Sequence, residues 1–304
     1  MKRVASIDIG TNTILMLITE IDSSFEGFRI IDQFFSTPRL GVGVDHNKTI
    51  SSDAITRAEV ILENYKKQCE SNNVDIIIVA ATSAMRDAEN ATFVKSKFEN
   101  ILNTKVNVIT GDEEAYLSYL GSVVTLEKSI LIDIGGGSTE IITGENHKIL
   151  QRKSFQMGAV RITERIFKSK FPLTNDLFDE AEHVILDNLK EFEICQNLSE
   201  IYAVAGTPCS IATAINGFHD YEVEKIDGTR LYLTDIESLL FEFRKMTPAE
   251  ITSKYLINAK RADIISAGAL ILCTILRYFK LEYTIVSAKG LRYGLIKDYV
   301  LKNK

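Results

Sequence analysis

The sequence predicts an α/β chain built from two related domains, and three observations carry that expectation. The stretches "ASIDIGTNTILMLIT", from Ala5, and "SILIDIGGGSTEIIT", from Ser129, both set Asp-Ile-Gly between apolar, β-rich runs, which reads as strand, tight turn, strand. One copy near the start of each half makes Asp8 and Asp133 equivalent positions and implies two related domains facing each other. Strand-like and helix-like segments alternate between the copies, as in an α/β fold. With 304 residues and 45% hydrophobic content, the chain can fill two cores.

In order, residues 3–21 form the first hairpin around the Gly10-Thr11-Asn12 break, and Ser52 to Gln68 has helical periodicity. Val74 to Ala80, "VDIIIVA", is a buried-strand run, and Lys105 to Thr110 is a second short strand. A helix starts at Asp112 in "GDEEAYLSYLG", where acids in the first turn suit the positive end of the dipole. After the second hairpin, Asp176 to Glu193 and Asp235 to Lys245 read as helices, and "IYAVAGTPCSIATAI" runs from a strand through a Gly-Thr turn into a helix. The charge-free run Ile264 to Leu276 is too short to cross a bilayer and reads as a buried helix, whose apolar character would also suit a homodimer. No linker composition marks a boundary, so residues 1–122 and 123–293 are divided by the repeat alone.

Composition narrows the partners. A net charge of −6 and pI near 5.4 argue against general nucleic-acid binding, so an anionic substrate must meet a local cationic site or a metal. Cys69, Cys195, Cys209 and Cys273 form no CxxC pair, which indicates neither a zinc site nor a disulfide framework and fits a reducing cytoplasm. Asp8 interrupts the apolar stretch after Lys2 and Arg3, which speaks against a signal peptide and, with the short apolar runs, against a membrane location.

Three consecutive glycines exceed what a simple turn requires and point to close approach of something to the backbone. Amides of Gly135, Gly136 and Gly137 would form an anion nest, Ser138 and Thr139 would add hydroxyls, and Asp133 and Glu140 would offer oxygen ligands to Mg²⁺. A plain glycine hairpin is the bland reading, but the second copy, Asp8 with Gly10, Thr11, Asn12 and Thr13, tips the balance toward phosphate chemistry. No P-loop, dinucleotide fingerprint, HExxH or Gly-x-Ser-x-Gly occurs. In "TGDEEAYLSYLG" the paired acids are either dipole-compensating surface residues or a carboxylate that orients water. In "ATSAMRDAEN", Arg86 follows a strand end and either grips phosphate oxygens or pairs locally with Asp87 or Glu89. Arg161, Arg165 and Lys168 share a helical face that reads as solvated, and the His219-Asp220 pair lacks the residues that would complete a metal site.

Together "IDIGTNT", "RLGVGVD", "AATSAMRDAEN", "TGDEEA", "LIDIGGGSTE", "AGT" and "GLRYGL" resemble the exopolyphosphatase/guanosine pentaphosphate phosphatase (Ppx/GppA) family over nearly the whole chain, in its short two-domain form. The resemblance implies an actin-like ATPase fold, two ribonuclease H-like domains flanking an interdomain phosphate cleft, with a C-terminal helix of residues 294–304 packing back on the first domain. It further implies Glu114 as catalytic carboxylate and Asp133 and Glu140 as the Mg²⁺-associated pair, with Asp8 as their counterpart and Mn²⁺ as the alternative metal. Gly10 to Thr13, Gly135 to Ser138, Gly206 and Thr207 become phosphate-binding turns, and Arg86 and Arg39 take the positions of the family's arginines. The implied substrates are inorganic polyphosphate or guanosine penta- and tetraphosphate, with a role in the stringent response. Where the family's third turn usually reads Gly-Gly-Thr, this chain has Ala205-Gly206-Thr207 followed by Pro208, which narrows a nucleotide pocket. A small-molecule kinase of the same fold and a non-catalytic alarmone sensor are the rival readings.

Overall fold

The computed structural model describes residues 1–22, 27–146, 148–193, 197–217 and 223–304. His147, Cys195, His219 and Asp220 lie outside these residues. The chain divides into two compact units, Met1–Gly121 with Gly290–Lys304, and Ser122–Lys289, and each is described by itself.

In the first unit β1 (Lys2–Ile9), β2 (Ile14–Ile21), β3 (Phe28–Ser36), β4 (Ile76–Ala81) and β5 (Val106–Val108) form a sheet of order β3-β2-β1-β4-β5. The β1–β2 and β2–β3 pairs are antiparallel, whereas β4 and β5 run parallel to β1. Period-2 alternation sorts the side chains of β1: Ala5, Ile7 and Ile9 enter a core with the Ser52–Ser71 and Ala91–Leu102 helices. Val4, Ser6 and Asp8 leave by the other face, where Val4 packs on Tyr293, Ile296 and Val300 of the Leu291–Lys302 helix. The Gly111–Ser122 helix covers the same face through Leu117, which clusters with Ala80, Leu291 and Leu295.

These two helices approach at backbone distance. A Cβ on Gly294 would stand 1.9 Å from the Leu117 carbonyl oxygen, and one on Gly121 would stand 2.1 Å from that of Gly290. Lys297 donates to the Leu120 carbonyl at 2.8 Å, placing a cation at the negative end of the 111–122 helix.

The second unit repeats the topology. β6 (Ser129–Ile134), β7 (Thr139–Glu145), β8 (Lys148–Phe155), β9 (Glu200–Val204), β10 (Arg230–Tyr232) and β11 (Tyr283–Ser287) are ordered β8-β7-β6-β9-β11-β10. Strands β6 to β9 and β11 match β1 to β5 in order and direction, and β10 is an added antiparallel edge. Two copies of one ribonuclease H-like sheet make this an actin-like ATPase fold. The core lies under Ile130, Ile132, Ile134 and Ile141 and is filled by the Asn175–Leu189, Leu233–Phe243 and Ile265–Tyr278 helices.

One expectation is corrected here and one is met. The helix expected to reach Glu193 ends at Leu189, after which the chain turns so that Phe192 enters the core beside Phe155, ring centroids 6.3 Å apart. The run 264–276 forms the buried helix expected of it, with residues 265–276 all buried within the second unit. Among the described residues no helix is long and apolar enough to cross a membrane. Burial pushes the Cys69 thiol up to about 11 and Cys273 up to about 12, which disqualifies both as thiolate nucleophiles at neutral pH.

Candidate active site

Both Asp-Ile-Gly hairpins form the same turn. Gly10 N–H donates to the Thr13 carbonyl at 2.9 Å, and Gly135 N–H donates to the Ser138 carbonyl at 3.0 Å. The other carbonyls of each turn are tied down by a following segment. In the first unit, Gly41 N–H reaches Thr11 O at 2.8 Å and Arg39 N–H reaches Asn12 O at 3.0 Å. Arg39 adopts φ +57 to do so, an uncommon conformation for a side-chain-bearing residue. In the second unit the amides of Ala159 and Val160 donate to Gly135 O and Gly136 O, both at 2.9 Å. A trans peptide points C=O and the next N–H in opposite directions, so the amides of Asn12, Thr13, Gly136 and Gly137 face away from these tethers. Outward amides in succession form an anion-binding concavity.

Glycine is required where the tether presses in: a Cβ on Gly158 would lie 2.3 Å from Gly136 C and O. Likewise a Cβ on Gly41 would lie 2.3 Å from Thr11 Cγ2.

The carboxyl ends of β1, β4 and β5 gather the rest of the first unit's site, the edge where open α/β sheets bind ligands. Thr82 N–H bonds Ile9 O at 3.1 Å and Ile109 N–H bonds Ala81 O at 3.0 Å, so the segments after β4 and β5 begin alongside the Gly10 turn. Arg86, on the Ser83–Asp87 helix, donates through Nη1 to Glu114 Oε2 at 2.6 Å and to Ile109 O at 3.0 Å. Arg86 is thus held in a long-range pair with Glu114. Arg86 Nη2 and Asn12 Nδ2 are buried donors with no hydrogen-bond partner among the described residues. Buried donors without acceptors are costly, and an anion at this edge would satisfy them.

The structure also separates the two acids. Glu113 Oε2 accepts from Thr110 N at 2.8 Å and Oγ1 at 2.9 Å, while Glu113 N–H donates to Thr110 Oγ1 at 3.2 Å, a capping box. These bonds hold its carboxyl below the usual carboxylate value. Glu113 is thus the dipole-compensating acid, and Glu114, 9% exposed, is the inward one.

In the second unit Asp133 and Glu140 are direct partners across β6 and β7 and leave the sheet on the face opposite the main core, 8% and 0% exposed. Ser154 Oγ, next across on β8, donates to Glu140 Oε1 at 2.6 Å. Two facing buried carboxylates repel unless a cation or proton joins them, so this pair fits a hard divalent ion. Among the described residues no group of three or more acids, histidines or cysteines is gathered around one point. Asp8 sits differently: its partner across β2 is Leu15, and no second acid faces it there.

At the third turn, Ala205 adopts φ +78, ψ −168, a region natural only for glycine, before the Gly206–Asn216 helix. Thr207 and Pro208 are buried inward, and it is Arg261 that crowds the turn: a Cβ on Gly206 would meet its Nη1 at 1.6 Å. Relief of the Ala205 strain is testable. Ala205→Gly should raise unfolding stability by about 1 kcal/mol in a urea titration, since the strain removed exceeds the entropy that glycine adds to the unfolded chain.

Arg161 does not lie on the solvated face that its spacing predicts. The expected helix is α-helical only over Ala159–Ile162 and becomes a π-turn over Thr163–Phe167, which breaks the spacing that put Arg161, Arg165 and Lys168 on one face. Arg161 is 6% exposed and its Nε donates to Gly137 O at 2.7 Å.

Duplicated sheets, each with a glycine turn after a strand-end Asp, define the actin-like ATPase fold class. More narrowly, the chain belongs to the Ppx/GppA phosphatase family, whose model matches residues 17–303. It is similar to the bifunctional 3-dehydroquinate synthase/phosphatase of Fusobacterium nucleatum, 32% identical over 97% of this chain but only 46% of that protein. The chain therefore spans about half the length of that relative. Exopolyphosphatase 2 of Mycobacterium tuberculosis is 29% identical over 89% of each chain. The crystal structure of an exopolyphosphatase from Cytophaga hutchinsonii superposes with a TM-score of 0.91 at 26% identity, covering 100% of this chain and 99% of that one.

Proposed function

We propose that the chain is a phosphohydrolase that removes the terminal phosphate of inorganic polyphosphate or of guanosine pentaphosphate by attack of water. The observation that carries this reading is the part-buried Arg86–Glu114 pair with the buried Arg86 Nη2 available to an anion. In the proposed reaction the turn amides and the Asn12 amide hold phosphate oxygens. Arg86 offsets charge on the transferred phosphoryl, and Glu114 orients the in-line water and takes its proton. Asp133 and Glu140 would hold Mg²⁺, or Mn²⁺ in its place, and the ion would neutralise charge on the phosphates. Phosphoryl transfer of this kind is positioning and electrostatics, which fits a site made of backbone amides, one arginine and carboxylates.

Parallel phosphate-release assays on tripolyphosphate, long polyphosphate, guanosine pentaphosphate and GTP, with and without Mg²⁺, test the assignment. Release from one of the first three, abolished by chelation, is expected; no release from any of them would refute it. Asp133→Asn should raise the Mg²⁺ concentration for half-maximal rate by about 10-fold or more, the scale seen for disturbing a metal site's supporting groups. An unchanged Mg²⁺ dependence would remove Asp133 from the metal site.

A further inference from the structure

We propose that Arg161 is a positioning residue that fixes the direction of the Gly137–Ser138 peptide and thereby presents the Ser138 amide to bound phosphate. This rests on the reading that the Gly135–Ser138 turn holds substrate.

A glycine-rich turn has the freedom to rotate its peptides, because glycine accepts either sign of φ at little cost. Something must therefore choose the orientation in which amides, not carbonyls, face an anion. For Gly135 and Gly136 the choice is made by the backbone: Ala159 N–H holds Gly135 O at 2.9 Å, and Val160 and Arg161 N–H hold Gly136 O at 2.9 and 3.1 Å. Among the described residues the backbone bond to the Gly137 carbonyl is a long one, from Gly158 N–H at 3.2 Å. The carbonyl's short bond comes from a side chain, Arg161 Nε at 2.7 Å, buried and charge-assisted. With that carbonyl held, the trans peptide sends the Ser138 N–H the opposite way.

In the first unit a backbone bond holds the equivalent carbonyl. Asn12 O, the counterpart of Gly137 O, accepts from the backbone of Arg39 at 3.0 Å. Arg161 adds a side-chain bond at the second turn, and a substitution there leaves every backbone donor in the chain. The π-turn that begins at Thr163, with a Thr163 Oγ1 bond to Ala159 O of 2.8 Å, ends the α-helix after Ile162, one residue past Arg161. Such turns concentrate at functional positions.

Side-chain chemistry makes the idea separable from a general effect of charge. Glutamine places its Nε2 the same number of bonds from Cα as arginine places Nε, so Arg161→Gln keeps the donor and removes the charge. Arg161→Met keeps the stem and loses both. Steady-state kinetics with tripolyphosphate, alongside thermal melting, should show KM raised about 10-fold or more in Arg161→Met with kcat within about threefold of wild type. That split is expected for a grip shared by ground and transition states, and its size for one hydrogen bond to a charged group. Arg161→Gln should recover most of the affinity, to within about threefold of wild type. Equal impairment of the Gln and Met variants, or a tenfold rise in KM for the Gln variant alone should the Met variant not fold, would overturn the positioning role. Gly158→Ala, whose Cβ would lie 2.3 Å from Gly136 C and O, displaces the turn itself and serves as the comparison. If it raises KM while Arg161→Met does not, the positioning role fails and the turn stands; if neither changes KM, the turn does not hold phosphate and the proposal falls with it.

Discussion

Glu114→Gln lowers kcat by roughly 10²–10⁴-fold with KM little changed, the range for losing a general base that acts on water in the transition state. Glutamine keeps the shape of the side chain and an acceptor for Arg86 Nη1, whose 2.6 Å bond to Oε2 is part of how the first unit holds this arginine. The loss should therefore appear in turnover with the fold intact. A single-turnover measurement on the purified variant checks that the chemical step is what slows. Near-normal turnover would take Glu114 out of the reaction.

Gly294→Ala has the largest expected effect on stability. Its new Cβ would lie 1.9 Å from Leu117 O and 2.6 Å from Leu117 C, atoms of a helix backbone that cannot rotate aside. The Leu291–Lys302 and Gly111–Ser122 helices would have to separate, and overpacking of this kind costs about 3 kcal/mol or more. Urea unfolding at constant m-value measures it. Because Glu114 stands in the first turn of the helix that is pushed, the rate should fall as well. Gly121→Ala strains the same crossing against Gly290 O, so the double variant should lose less than the two single losses added together. Unchanged stability in Gly294→Ala would contradict the close crossing.

What the sequence discloses about this site follows the range of the interaction. The Asp-Ile-Gly repeat is legible because a strand, a turn and a strand are local, and both turns form with the same closing bond. The facing of Asp133 and Glu140 follows from hairpin register, which the turn length sets. Glu113 and Glu114 are adjacent and look interchangeable, yet Thr110-Gly111-Asp112-Glu113 spells a capping box, a signal that assigns Glu113 to the helix end. No local pattern reveals that Arg86 reaches Glu114, 28 residues away, or that Gly121 and Gly294 touch the opposite helix's backbone. Arg161 was misjudged because helical spacing presumes 3.6 residues per turn, and the π-turn at Thr163–Phe167 violates that assumption. Ala205 is opaque for another reason: the sequence shows a residue, and the strain at φ +78 belongs to the backbone.

Hydrolysis by water, as opposed to transfer to another acceptor, is the central claim. Turnover of tripolyphosphate and of guanosine pentaphosphate in ¹⁸O-enriched water, with mass analysis of both products, tests it most directly. The account predicts that each orthophosphate released carries a single solvent oxygen and that the remaining chain or nucleotide carries none. Label in the remaining product, or phosphate leaving the substrate only when a hydroxyl acceptor is supplied, would contradict it.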